Sequence, residues 1–163
     1  MNQVVPLLQR LSSEINQEQK KSLERFLGDL YLYVQKRDQA DDDDLETKLV
    51  SANRTMEIKN AEQSLESFVM LLEQYQYFPS GQKLFGFFLG RIHDVFCHQI
   101  LNRINSLNDS DIDRIIQTEI IDQTITDMGE GFEHFTLTHK HVRGMVYYLA
   151  DRCFVRWDKK CTA

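Results

Sequence analysis

Positive charge, proline, glycine and cysteine are all scarce in this chain, and each shortage excludes a class of protein. Lys and Arg number 19 against 25 Asp and Glu, a net charge of −6. That balance works against a main role in nonspecific nucleic-acid binding, which depends on neutralising phosphates. Two prolines and seven glycines in 163 residues leave long stretches free to be helical. The three cysteines, Cys97, Cys153 and Cys161, contain no close CxxC pair, so neither a disulfide framework nor a thioredoxin-like redox site is expected. No uninterrupted apolar run spans a membrane, because Arg91, His93 and Asp94 break the most apolar stretch. The opening MNQVVPLLQRLSSEINQ lacks the basic start, apolar core and cleavage site of a secretory signal. The expectation is a cytoplasmic protein with no membrane contact.

What the chain does contain is enough apolar material, 42%, to build one sizeable core in 163 residues. Apolar residues recur at three and four along most of its length, which predicts an all-α, compact bundle of about five or six helices in a single domain, 1–163. The stretch 83–104, KLFGFFLGRIHDVFCHQILNRI, is the expected centre, with Phe85, Leu89, Ile92, Phe96 and Ile100 in one stripe and Phe87, Phe88, Val95 and Leu101 widening it. Gly86 and Gly90 within it are expected to admit a neighbouring helix closely.

Around that centre, helices are predicted over 4–15, with Pro6 near its start, and over 17–36. Four adjacent aspartates make 38–44 a flexible acidic linker whose last member, Asp44, is placed to cap a helix beginning at Leu45. The span 45–78 reads as one long helix or two meeting near Asn60, with Leu49, Ala52, Met56 and Ala61 as a weak apolar stripe. Pro79, Ser80 and Gly81 read as a turn before the central helix. After a loop pinned by Leu107, with Ser110 and Asp113 as a shortened capping pair, Ile112, Ile115, Ile116, Ile120, Ile121, Ile125 and Met128 predict another helix, ended by Gly129 and Gly131. Thr138 is placed to cap a last helix carrying Val142, Met145, Val146, Leu149 and Cys153.

Three sets of residues carry candidate chemistry. His93 and Cys97 share a helix face four residues apart, and His134, His139 and His141 form the densest histidine group. Imidazole and thiolate suit zinc, and a histidine can also ligate heme, so a metal-supported sensor or enzyme is one alternative if these segments converge. No cofactor follows otherwise. Arg143, Tyr147, Tyr148, Arg152, Arg156 and Trp157 form a basic aromatic group near the end of the chain, suited to docking a partner through desolvated rings and oriented charges.

The third set is Arg91 and His98, an arginine and a histidine separated by six residues. This spacing resembles the short arginine–histidine motif of the HEPN-family ribonucleases, compact helical proteins whose active sites commonly assemble across a dimer. The resemblance covers residues 91–98 only. It implies RNA as substrate, with Arg91 stabilising phosphate charge and His98 assisting proton transfer. The preferred reading remains an intracellular regulator or adaptor that docks a protein partner, with self-association through the broad central helix as a further expectation. The strong helical faces motivate it, and no intact EF-hand, HExxH or CxxCH motif competes with it.

Overall fold

The computed structural model describes residues 4–14, 44–129, 131, 135–152 and 154–157. The helix expected over 17–36, the linker before Asp44, and His134, Cys153 and Cys161 lie outside the described residues. Among the described residues six helices follow one another in chain order. Helix α1 (Val4–Glu14) is followed by α2 (Leu45–Ser51), a 3₁₀ turn (Thr55–Glu57) and α3 (Ile58–Tyr75). Helix α4 (Pro79–Val95) runs on through a π-helical turn (Phe96–Ile100). Helix α5 (Asp109–Ile115) likewise passes through a π segment (Ile116–Asp122) into a final α-helical stretch (Gln123–Met128), and α6 (His139–Asp151) completes the bundle.

The caps explain several boundaries. Asp44 accepts the Thr47 backbone N–H at 2.8 Å and opens α2 as expected. The predicted break near Asn60 lies earlier: the chain turns at Asn53, whose φ of 60° is left-handed, and resumes as the 3₁₀ turn. Asn tolerates that conformation because its short side chain creates little clash. Met56, placed in an apolar stripe, is 97% exposed on that turn. Pro79 occupies the first turn of α4, so Pro79, Ser80 and Gly81 start the helix instead of preceding it. The capping box of α5 is Asn108 with Asp111, two residues before the Ser110–Asp113 pair the spacing suggested.

Both π segments coincide with buried residues repeating every four positions: Ile92, Phe96, Ile100 and Ile104 in one helix, Ile112, Ile116, Ile120, Thr124 and Met128 in the other. In a straight α-helix a four-residue step over-rotates by about 40°. A wider turn absorbs that drift and keeps the stripe on the core.

The longest interface joins α3 to α6. It forms where Gly144 lies against Ser64 and Phe68, with no room for a side chain. Gly86 and Gly90, expected to play this part, face open space. Phe68 meets Tyr148 edge-on at 5.3 Å and Phe85 at 5.9 Å, and Phe135 continues the aromatic chain to Tyr75 at 4.8 Å. Thus the central helix is packed as expected, with Phe85, Phe88, Ile92 and Phe96 fully buried. Lys48 of α2, also fully buried, donates to the Ala150 carbonyl and ties α2 to the end of α6. No described helix is long and apolar enough to cross a membrane.

Candidate functional site

Three helices diverge around a solvent-open cleft of about 730 Å³. One wall is the 3₁₀ turn and the start of α3, the second is the first half of α5, and the third is the outer face of α6, with Trp157 beside it. The turn at Asn53 delivers Arg54, buried to 6% exposure, into the first wall. Its Nη1 donates to Glu57 Oε1 at 2.9 Å and to Asp113 Oδ1 at 2.6 Å, and its Nη2 lies 3.5 Å from Asp109 Oδ1. Burial alone would lower the Arg54 pKa, but the Asp113 hydrogen bond and the three carboxylates outweigh it and hold the group above its ordinary value.

On the α6 wall, Lys140, Arg143 and Tyr147 follow one another at three and four, the spacing that aligns side chains on one face. Thr138 starts this helix as expected, accepting the His141 backbone N–H at 3.3 Å. In return the His141 Nδ1 accepts the Thr138 backbone N–H at 3.1 Å. Burial, followed by nearby Lys140, lowers the His141 pKa and favours the neutral ring that this bond needs. Arg143 donates from Nη2 to Gln117 Oε1 at 2.5 Å, and the Gln117 amide donates to Asp122 Oδ1 at 2.8 Å. Tyr147 stacks obliquely on Trp157 at 5.8 Å, and Trp157 meets Phe96 of the central helix edge-on at 6.0 Å. Burial chiefly, reinforced by Glu57, raises the Tyr147 pKa to about 12, so its hydroxyl stays a neutral donor at physiological pH.

The basic aromatic group divides. Arg143, Tyr147 and Trp157 meet at the cleft. Tyr148 points instead into the core, with the Arg152 guanidinium 5.3 Å from its ring centre, and Arg156 is buried. The sequence reading missed Arg54 and Glu57, as well as Asp113, Arg114 and Gln117 on the facing helix. The local hint was an arginine just after an Asn turn signal, Asn53–Arg54.

The other two sets lie elsewhere. His93 Nε2 is 3.3 Å from Cys97 Sγ, while His139 faces Asp122 across the α5–α6 seam at 3.7 Å and His141 is held in its cap. Among the described residues no group of three or more His, Cys, Asp or Glu side chains is arranged to hold a metal. The described candidates, His93, Cys97, His139 and His141, form no such group, and His134 lies outside the described residues. Arg91 pairs with Asp127 and donates to Thr124 Oγ1 at 3.0 Å, fastening α4 to the end of α5. His98 is exposed, its Nδ1 2.8 Å from the Asp94 carbonyl oxygen one turn back. No hydrogen bond joins Arg91 and His98, and neither lines the cleft.

No curated protein and no solved structure matches the chain. Residues 44–157, from the Asp44 cap to the cleft-lining Trp157, match the family described as C-terminal domain 9 of the ABC-three component (ABC-3C) systems, and the chain belongs to that family.

Proposed function

We propose that this chain is a docking domain, an adaptor that acts in the cytoplasm and holds another protein of its three-component system against the α5–α6 face. The observation that carries the reading is the open cleft in which Arg143 and Tyr147 of α6, beside Trp157, face walls from two distant parts of the chain, 54–64 and 113–117. Rings supply desolvated contact area there, and charged neighbours orient the partner. Family membership supports the same reading, because a domain of a three-component system works beside other proteins. The mechanism is binding without chemistry: Arg54 holds the first two walls together through Glu57 and Asp113, leaving the α6 wall to meet the partner.

Co-expression of the full chain with the other components of its system, followed by affinity purification and solution mass, tests this. The expected result is a defined complex containing the chain and at least one other component. Failure of every component to co-purify with folded chain would remove the docking reading.

A further inference from the structure

The cleft is locally basic in an acidic molecule. Four cations line it, Arg54, Arg114, Lys140 and Arg143, against two carboxylates, Glu57 and Asp113. Both carboxylates are engaged by Arg54. Among the described residues Arg114 has Asp111 alone, at 3.6 Å. Among the described residues no carboxylate pairs with Lys140 or Arg143. Arg143 is instead steadied by the neutral Gln117 amide, which fixes its direction while leaving its charge uncompensated. Such an arrangement has lost part of its conformational freedom before any ligand arrives, and a planar guanidinium held this way suits a carboxylate.

We infer that the cleft receives a short acidic segment of a partner protein, its Asp or Glu carboxylates taken by Arg143, Lys140 and Arg114 and its apolar neighbours laid against the half-buried Tyr147 ring, which the buried Trp157 backs from the core. This rests on the docking reading and specifies what is docked. The neutral Tyr147 hydroxyl adds a donor to the same wall. Nucleic acid fits less well. A phosphate backbone needs cations that continue beyond one cleft, whereas the surrounding α5 surface presents Asp109, Asp111 and Asp122, and the whole chain carries −6.

The test uses the full chain and a fluorescein-labelled peptide of mixed Asp and Glu around one leucine, followed by anisotropy. Saturable binding that weakens with added salt is expected. The exposed-site double variant Lys140→Glu/Arg143→Glu should bind about tenfold or more weakly, while Arg103→Glu, the same kind of charge change on a different helix end, should bind as the parent does. Circular dichroism of all variants establishes that the fold is kept. Equal binding of the same peptide with Asn and Gln in place of Asp and Glu would overturn the inference. So would undiminished binding by the double variant, or a single-stranded oligonucleotide that outcompetes the peptide. In the complex with the other components, loss of the partner on double substitution but not with Arg103→Glu supports the inference. A complex that survives the double substitution overturns it and leaves docking standing, whereas absence of any complex removes both.

Discussion

Single residues in this fold carry unequal weight, and the glycines show it most directly. Gly144 sits where α6 crosses α3, and a Cβ there would run into the Ser64 carbonyl and come within 2.6 Å of Phe68 Cβ. Gly144→Ala is therefore expected to cost about 3 kcal/mol, the upper end of overpacking, because backbone on the opposing helix cannot rotate away. Gly86→Ala should do the opposite and gain up to about 1 kcal/mol, since the site is open and alanine is the better helix former. Urea unfolding of the two variants beside the parent checks both signs. Composition and spacing made Gly86 and Gly90 the natural places for close approach, four apart on the most apolar helix. The true contact is at a glycine with no glycine partner, since what matters is the opposing surface, and that is contributed by a helix some eighty residues earlier. Arg91 and His98 make the same point at a charged pair: their spacing is a local fact, but Asp127 and Thr124 decide what Arg91 touches.

Elements begin where the backbone finds a partner for its first free N–H groups, and the two reciprocal caps illustrate how far local chemistry reaches. Thr138 was readable because it is the last capping residue before an apolar repeat. Asn108 was not, because Ser110 offers the same chemistry two residues later and only the backbone path selects between them. Thr138→Ala should cost about 1 kcal/mol of stability. The partner in that cap, His141, adds a pH dependence. Its folded pKa lies below the ordinary 6.5, so the neutral ring contributes fully above pH 6.5, and the contribution is lost as pH falls through the lower folded value, where the ring protonates and Nδ1 ceases to accept. Between pH 7 and pH 5 the parent should thus lose more unfolding free energy than His141→Gln, in matched denaturant titrations. The π segments were not legible: the apolar residues of both helices read at three and four, and the four-residue repeat emerges only once Ile104 and Thr124 are buried with them in the folded bundle.

At the scale of the whole molecule, α1 lies outside the span that matches the family, yet it belongs to the core. Val4, Leu8 and Leu11 are buried, and Leu11 packs at Gly81 in the first turn of α4. Leu11→Ala in the full chain should cost about 2–5 kcal/mol, and a chain cut to residues 44–157 should unfold at lower denaturant than the parent, by roughly 1.5–3 kcal/mol for each apolar side chain of α1 withdrawn. Equal stability of the shortened chain would show that α1 is dispensable. The sequence by itself determined the helical class, the central helix and the caps at Asp44 and Thr138, because periodicity and capping act within a turn or two of chain. Only the tertiary structure decided the cleft, for its walls come from residues 54–64, 113–117 and 140–157. It also decided which cations stay uncompensated there, because Arg54 takes Asp113 from 59 residues away, and no local pattern records a pairing made across the folded bundle.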